Sequence, residues 1–243
     1  MLRLIVSDFD GTLLPYGQAK ISDGVIALLR KALQQGITVA VSSGRTVGEL
    51  RTLLPELADK LWLIGCDGAH YVLGTREYYG KKIEHEDLLI FQKHAGDGLS
   101  FVLHAADRNY AVGKLPAAAD HFLSLPIRHI DEIGGKVFKV TSYGKKIKLP
   151  PYCGLRMHWD GGENASAQYV NRFADKGVAL SDLQTRLMMT KFDTACIGDS
   201  GNDIAMMHNA KYAVCIGRRS ERLQAVCAYS FDSAEEALAE LIK

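Results

Sequence analysis

Short apolar runs separated by amphipathic stretches dominate the first part of the chain. Residues 4–6, 37–41 and 61–66 are nearly continuous apolar runs, a pattern typical of strands that are covered on both faces in a parallel sheet. Polar or turn-forming residues follow each run. We therefore predict three buried strands in this region.

The stretches between these runs have apolar positions at helical spacing. Ser22 is placed as the N-cap of a first helix that ends near Gly36, and Thr46 with Glu49 forms a capping box that opens a second helix reaching about Leu54. The apolar stripe of the first helix comprises Val25, Leu28, Leu29, Ala32 and Leu33. This β-α-β-α-β order predicts a parallel, doubly wound sheet with right-handed crossovers.

From about Tyr71 the pattern changes to shorter segments. Residues 71–79 predict a hairpin around Gly74-Thr75, and residues 86–95 predict a helix. Further short segments predict strands at residues 100–104, 109–112, 136–142, 155–159 and 167–171, with a helix at residues 116–123. This mixture predicts an inserted α+β domain with a mostly antiparallel sheet.

Alternation of helix and strand resumes after the insert. The predicted elements are a helix at residues 177–189, a strand at 194–197, a helix at 202–208, a strand at 213–216 and a closing helix from Ser233. We therefore predict an α/β fold, with a doubly wound, mostly parallel Rossmann-like core. The core comprises residues 1–80 and 172–243, and the inserted domain comprises residues 81–171.

Charge and cysteine content narrow the possible classes of function. With 29 basic and 28 acidic residues, the formal net charge is +1, so no global field attracts nucleic acid or an anionic membrane. The five cysteines are widely spread and form no CxxC pair, which favours reduced core residues. No run approaches the ~20 apolar residues of a membrane helix, and the first strand follows Met1 without room for a signal peptide. We expect a cytoplasmic protein, and no obligate protein partner is evident.

Two carboxylates follow the first apolar run. Asp8 and Asp10 stand two residues apart in the stretch LIVSDFDGTLL. Ligands of open α/β sheets bind beyond the carboxyl ends of the strands, and alternate residues of an extended segment point the same way. Both carboxylates are therefore expected to reach one cation.

Three further polar segments lie at a strand end or a helix start. Together with the first, the segments are Asp8-Phe9-Asp10-Gly11-Thr12, Ser43-Gly44-Arg45, Asp175-Lys176-Gly177 and Gly198-Asp199-Ser200-Gly201-Asn202-Asp203. In this order they resemble the haloacid dehalogenase superfamily of aspartate-nucleophile phosphohydrolases. The match is to its Cof-like sugar-phosphatase branch, which carries a large α/β cap between the second and third motifs. The resemblance covers nearly the whole chain.

The resemblance implies a phosphoric monoester hydrolase. Asp8 is then the nucleophile, which forms an aspartyl-phosphate, and Asp10 protonates the leaving group and later activates water. Transport ATPases of the superfamily carry threonine at the position of Asp10, so an aspartate here implies rapid turnover. Lys176 is the third catalytic residue, neutralising charge shared by Asp8 and the phosphoryl group. The cap is expected to close over the core, expel bulk water and choose the leaving group.

The resemblance also implies a Mg²⁺ site. The Asp8 carboxylate, the Asp10 backbone carbonyl and the Asp199 carboxylate are the implied ligands, with Asp203 acting through a water or as support. Substrate binding is assigned to Phe9, Ser43, Gly44, Arg45 and Asn202. In this group Ser43 and backbone N–H groups donate to the phosphate. Asn202 orients a phosphate oxygen or Asp8, and Arg45 points toward an interdomain cleft.

The motifs also have other interpretations. Gly198-Asp199-Ser200-Gly201 also resembles the segment around the nucleophile of trypsin-like serine proteases, but Asn202 stands where that segment has a further glycine. The same asparagine breaks the G-x-S-x-G elbow of α/β-hydrolases. Taken alone, Ser43-Gly44-Arg45 is an ordinary strand-to-helix turn. The basic cluster of Lys136, Lys139, Lys145, Lys146 and Lys148 is best explained as a solvated face that protects an edge strand.

Two departures from the family pattern bear on the substrate. Asp67-Gly68-Ala69 stands where relatives commonly have Asn-Gly-Ala, and Arg218-Arg219 follow Gly217 where small or amide residues are usual. The resemblance therefore implies a Mg²⁺-dependent phosphatase of small phosphomonoesters, and we expect sugar phosphates as its substrates. A phosphomutase of the phosphomannomutase type and a non-catalytic regulator that binds sugar phosphates are the alternatives.

Overall fold

The structure is a computed structural model that describes residues 1–95, 98–106, 108–119, 124–144, 146–160, 165–217 and 220–243. The chain divides into two compact units. Met1–Tyr79 and Asp175–Lys243 form the first, and Gly80–Ala174 form the second. The second unit is therefore inserted into the first.

The described residues form fourteen strands and seven α-helices. The strands are β1 (Leu4–Asp8), β2 (Thr38–Ser42), β3 (Trp62–Gly65), β4 (His70–Leu73), β5 (Arg76–Gly80), β6 (Ser100–Ala105), β7 (Asn109–Val112), β8 (Ser124–Pro126), β9 (Val137–Tyr143), β10 (Leu155–Asp160), β11 (Ser166–Asn171), β12 (Thr194–Gly198), β13 (Tyr212–Ile216) and β14 (Tyr229–Phe231). The helices are α1 (Asp23–Gln34), α2 (Val47–Leu53), α3 (His85–Ala95), α4 (Lys176–Arg186), α5 (Ile204–Met207), α6 (Glu221–Gln224) and α7 (Ala234–Leu241).

The first unit is built on one eight-stranded sheet. Its strand order is β14-β13-β12-β1-β2-β3-β4-β5. The six strands from β14 to β3 are parallel, and β4 runs antiparallel to β3. The strand β1 lies near the centre, between β12 and β2, so residues that follow these three strands meet at one edge of the sheet.

Both faces of this sheet are covered by helices. Ile5 packs in a core with residues of α1, α2 and α7, whereas Leu4 and Val6 pack in a second core with residues of α4 and α5. Successive residues of β1 therefore bury opposite faces, which explains its unbroken apolar run. The predicted doubly wound, mostly parallel core is confirmed.

The N-terminal caps of the first two helices form as the sequence predicts. The Ser22 hydroxyl accepts from Val25 N–H (3.1 Å) at the start of α1. Thr46 accepts from Glu49 N–H (3.1 Å), and Glu49 accepts from Thr46 N–H (2.7 Å) at the start of α2. Both predicted helix starts are thus confirmed.

The inserted unit contains a six-stranded sheet in the order β10-β11-β9-β6-β7-β8. Its pairs are antiparallel except for β7 with β8, which agrees with the predicted mostly antiparallel sheet. One face packs on α3 through Leu88 and Phe91. On the other face, buried His104 lies between Asn109 (3.0 Å) and Thr141 (2.9 Å), so both ring nitrogens have hydrogen-bond partners.

Some predicted elements differ from the structure. The helix predicted at residues 116–123 is a single 3₁₀ turn at Ala117–Ala119 in the described part, and residues 120–123 lie outside it. Helix α4 ends at Arg186, short of the predicted residue 189. Lys145 of the basic cluster and Arg218-Arg219 also lie outside the described residues.

Other features bear on the composition-based expectations. All five cysteines are free thiols, and four of them are buried, as expected for reduced core residues. Among the residues that the structure describes, no helix combines the length and apolar character needed to cross a bilayer.

Candidate active site

The site begins at the last residue of β1. Asp8 is 5% exposed, because its strand lies between two neighbouring strands and has helices packed on both faces. Asp8 pairs in register with Ser42 at the end of β2. The first carboxylate predicted from the sequence is therefore buried at the carboxyl edge of the sheet.

Lys176 brings a positive charge to this carboxylate. It is the first residue of α4, which Asp175 caps by accepting from Gly177 N–H (2.8 Å). A cation at a helix N-terminus is opposed by the helix dipole, yet Lys176 is 2% exposed. Its ammonium donates to Asp8 Oδ1 (2.6 Å) and to Asp203 Oδ1 (2.7 Å). The two carboxylates compensate for the unfavourable position of the lysine.

Three buried carboxylates form a cluster around this lysine. Asp8, Asp199 and Asp203 each offer one carboxylate oxygen, and these three oxygens lie within 4.8 Å of one another. Asp203 Oδ2 also accepts from Asp199 N–H (3.2 Å) and Ser200 N–H (3.1 Å). Asp203 is therefore held by the backbone and by Lys176. This donor set of hard oxygens suits a small divalent cation such as Mg²⁺.

The electrostatics of the cluster are unfavourable to Asp8 as an anion. Burial raises the pKa of Asp8 to about 7; Asp203 and Asp199 add to the rise, while Lys176 opposes it. For Lys176, burial disfavours the charged form, but Asp203 and Asp8 outweigh burial and raise its pKa. The lysine thus stays charged, and the cluster carries an excess of negative charge that a cation would relieve.

Asp10 is paired with Arg45. The Arg45 guanidinium donates from Nε to Asp10 Oδ2 (2.8 Å) and Oδ1 (3.1 Å), and from Nη2 to Oδ1 (2.7 Å). This bond to Asp10 raises the pKa of Arg45. In this structure the Asp10 carboxylate thus has a bidentate partner, and the expectation that the carboxylates of Asp8 and Asp10 both reach one cation stays a prediction. Arg45, expected to point toward a cleft, holds Asp10.

Ser43 lies at the start of the loop that follows β2. Its hydroxyl oxygen accepts from Arg45 N–H (3.1 Å), which leaves the hydroxyl proton available for donation. The side chain of Phe9 is fully buried, and the Arg45 guanidinium lies over its ring at 5.7 Å. Gly44 lies between Ser43 and Arg45 in this loop. Asn202 is exposed and accepts from Ser200 Oγ (2.5 Å).

A left-handed turn after β3 ties this loop to Lys176. Cys66, Asp67 and Gly68 have φ values of 51°, 54° and 89°. Cys66 N–H donates to the Arg45 carbonyl (2.7 Å), and Asp67 N–H donates to the Ser43 carbonyl (3.0 Å). A methyl group on Gly68 would lie 2.3 Å from the Asp175 carbonyl oxygen, so only glycine permits this approach.

Sequence reasoning missed Tyr16. A methyl group on Gly11 would lie 2.3 Å from Cε2 of Tyr16 and 2.4 Å from Oδ2 of Asp199. The tyrosine ring and a carboxylate of the acidic cluster therefore flank the same α-carbon. The sequence Pro15-Tyr16-Gly17, directly after the first motif, was the available signal, since Pro and Gly at this spacing indicate a turn that returns toward the motif.

Comparison with known proteins identifies the family. Residues 5–242 match the haloacid dehalogenase-like hydrolase family, and the chain belongs to it. It is 26% identical, over all of this chain and 95% of the relative, to 5-amino-6-(5-phospho-D-ribitylamino)uracil phosphatase YcsE of Bacillus subtilis (strain 168). The resemblance and the enzyme class predicted from the sequence, a phosphoric monoester hydrolase, are confirmed.

Solved structures agree on the fold. A haloacid dehalogenase-like hydrolase from Bacteroides thetaiotaomicron has a TM-score of 0.85 at 21% identity, with 99% of this chain and all of that chain covered. The subclass IIB sugar phosphatase BT4131 has a TM-score of 0.81 at 19% identity, with 99% and 100% covered. These similarities confirm a Rossmann-like core with an inserted cap domain.

Proposed function

We propose that this protein is a Mg²⁺-dependent phosphatase that hydrolyses small sugar phosphates through an aspartyl-phosphate. The observation that carries the proposal is the buried Lys176 ammonium, which bonds Asp8 (2.6 Å) and Asp203 (2.7 Å) at once. Burying a lysine with several carboxylates is expensive, and the arrangement serves phosphoryl chemistry better than stability. The domain that spans residues 81–171 selects the leaving group.

Asp8 supplies the nucleophile. Lys176 engages Oδ1, so Oδ2 is the oxygen that attacks phosphorus. A P–Oδ2 bond forms as the bond from phosphorus to the leaving oxygen breaks, and the Asp10 carboxyl gives its proton to that oxygen. Water then attacks phosphorus while Asp10 takes a proton back, and the P–Oδ2 bond breaks to release phosphate and the free Asp8 carboxylate. Ser43 and Lys176 donate to the phosphoryl oxygens throughout.

The donor set fits Mg²⁺ held by the carboxylates of Asp8 and Asp199 and the backbone carbonyl of Asp10. When bound, Mg²⁺ would supply charge neutralisation for the phosphoryl oxygens. Asp203 has both oxygens engaged by Lys176 and backbone N–H groups. It therefore supports Lys176 and acts on the cation through water at most.

The test is phosphate release from a panel of sugar phosphates with Mg²⁺. Asp8→Asn, which keeps the shape but is a far weaker nucleophile, is expected to abolish release while the protein stays folded. Asp193→Asn, in the turn directly before β12 and so at the end of that strand opposite to Asp199, is the control and is expected to stay active. Substantial turnover by Asp8→Asn would refute the covalent mechanism. Conversion of a hexose 1-phosphate to its isomer would identify a mutase, and absence of turnover on every ester would favour a regulator.

The role of Asp10 has its own signature. General acid catalysis contributes about 10²–10⁴-fold, and p-nitrophenolate needs a proton far less than a sugar hydroxyl. Asp10→Asn is therefore expected to give a burst of nitrophenol stoichiometric with enzyme, followed by slow turnover, with a phosphate on Asp8 by intact-mass analysis. Equal slowing of both esters with no burst and no adduct would mean that Asp10 serves the fold or the metal site.

A further inference from the structure

Tyr16 occupies a fixed position directly after the loop that carries Asp8 and Asp10. Pro15 to Gln18 form a β-turn in which Gln18 N–H donates to the Pro15 carbonyl (3.1 Å), with Gly17 at the third position and φ 81°. A positive φ at this position is the type II geometry that glycine favours. The turn therefore sets the direction in which the Tyr16 side chain leaves the backbone.

The loop before this turn is closed on itself. Leu14 N–H donates to the Phe9 carbonyl (2.8 Å), and Gly11 N–H donates to the Leu14 carbonyl (2.8 Å). These bonds bring the segment after the loop back beside Gly11. The position of the Tyr16 backbone relative to Asp10 is thus set by backbone hydrogen bonds.

The Tyr16 ring packs on Gly11 at the edge of the acidic cluster. A methyl group on Gly11, whose φ is 84°, would lie 2.3 Å from Cε2 and 2.7 Å from Cζ of the ring, and 2.4 Å from Asp199 Oδ2. One edge of the ring therefore covers Gly11 beside the Asp199 carboxylate. Gly11 directly follows Asp10, and consecutive α-carbons are about 3.8 Å apart.

About half of the Tyr16 surface stays open to solvent at this place, since the residue is 54% exposed. The leaving oxygen of a substrate has to come within about 2.6–3.2 Å of the Asp10 carboxylate to receive its proton. A leaving group that carries a ring extends farther from that oxygen than a short acyclic group does, and it offers a ring face that the acyclic group lacks. Flat ring faces gain contact area on an aromatic side chain.

From this we infer that Tyr16 contacts the substrate and selects phosphomonoesters whose leaving group carries a ring, either a sugar ring or an aromatic ring. This inference rests on the proposed function, because that function fixes where the leaving oxygen lies. It adds a specificity residue from the core unit to the selection that the inserted domain provides.

The test is a binding measurement that needs no turnover. Benzylphosphonate and methylphosphonate both present a phosphonate, but only the first carries a ring. In Mg²⁺ buffer the wild-type protein is expected to bind benzylphosphonate more tightly. Tyr16→Ala is expected to weaken the binding of benzylphosphonate by about two- to tenfold. It is expected to change the affinity for methylphosphonate by no more than about twofold. Tyr16→Phe, which keeps the ring, is expected to bind both as the wild type does.

Two further variants serve as controls for this test. Tyr229→Ala removes a tyrosine of similar exposure, 47%, from the edge strand β14, and is expected to leave the ratio of the two affinities unchanged. Tyr16→Leu keeps apolar bulk without a flat face, so it decides the matter if Tyr16→Ala fails to fold. It is expected to lose the preference for the ring.

Several results would overturn the inference. These are equal wild-type affinities for the two phosphonates, equal weakening of both by Tyr16→Ala or Tyr16→Leu, and loss of the preference in Tyr16→Phe, which would assign the effect to the hydroxyl. Turnover gives a parallel readout, in which Tyr16→Ala raises KM for p-nitrophenyl phosphate but not for glycerol 3-phosphate. Failure of the proposed function appears separately, as turnover retained by Asp8→Asn with an unchanged phosphonate ratio.

Discussion

Replacing the proposed nucleophile is expected to stabilise the metal-free protein. Asp8 is 5% exposed and lies near the carboxylates of Asp199 and Asp203, and it accepts from the ammonium of Lys176. Burial raises the pKa of Asp8 from 3.8 to about 7. Asp8→Asn keeps the shape, removes one buried negative charge and leaves Lys176 bonded to Asp203. The free energy of unfolding should therefore rise wherever Asp8 would be ionised.

The pH dependence follows from the sign of the shift. A carboxyl group whose pKa is raised by folding binds its proton more tightly in the folded state. Its contribution to stability is complete below the unfolded pKa near 4, and it is lost as the pH rises through about 7. A difference of about three pH units corresponds to about 4 kcal/mol above pH 7. At about 2–4 °C per kcal/mol, Asp8→Asn should raise Tm by about 10 °C at pH 8 and by much less at pH 5.

The assay is thermal unfolding of both proteins in EDTA at pH 5 and pH 8. Asp193→Asn is a control of opposite sign, because bonds from Thr190 lower the pKa of Asp193, and its replacement should not stabilise the protein at pH 8. Saturating Mg²⁺ should narrow the gap by stabilising the wild type, by about 2.7 kcal/mol at 100 times Kd. A lower Tm for Asp8→Asn at pH 8, or an equal gain at both pH values, would refute this account of the cluster.

Three further outcomes are expected. EDTA should abolish phosphate release, and Ca²⁺ should restore little of it, because Ca²⁺ prefers more ligands at about 2.3–2.6 Å against about 2.0–2.1 Å for Mg²⁺; full activity without metal would contradict the site. Gly68→Ala should lower kcat at least about tenfold by pushing its new methyl group, 2.3 Å from the Asp175 carbonyl, against the start of α4. Gly36→Ala, where φ is 78° with nothing within 4 Å, measures the backbone strain of about 1 kcal/mol alone. Arg45→Met should slow turnover of sugar phosphates, and Arg45→Lys should slow it less, because lysine keeps a charge beside Asp10 but not the bidentate bond; wild-type rates in both variants would show that the Arg45–Asp10 contact is not used.

Secondary structure was predicted most accurately from the sequence where backbone periodicity and burial act together. The buried run before Asp8 required a central strand, and the spacing of Thr46 and Glu49 required a capping box. Both depend on neighbours within a few residues. Strands such as Tyr229–Phe231 were missed because an edge strand of three residues, two of them exposed, shows no alternation. The Ser124–Pro126 strand was missed for the same reason of length.

Side-chain direction at the site lay beyond sequence reasoning. The spacing of Asp8 and Asp10 predicted that both reach one cation, but it did not indicate the contact with Arg45, because the extended geometry ends with β1 at Asp8. Asp10 then meets Arg45, which is 35 positions away in sequence. Likewise, Asp67 was noted as a departure from the family pattern, whereas its left-handed conformation and its bond to the Ser43 carbonyl depend on how β2 and β3 align.

The charge of the site gives a reason for a divalent metal that does not depend on family membership. Four carboxylates gather at the carboxyl edge of the sheet, and within the described part of the chain Lys176 and Arg45 donate to three of them. The carboxylates are those of Asp8, Asp10, Asp199 and Asp203. Carboxylates close together oppose the approach of a phosphate dianion. A divalent cation relieves more of this repulsion than a monovalent one, and three carboxylate oxygens within 4.8 Å of one another suit a small, hard ion. The same repulsion is the reason we expect the cluster to destabilise the metal-free protein, so the stability of Asp8→Asn and the metal requirement for turnover would measure one electrostatic imbalance in two ways.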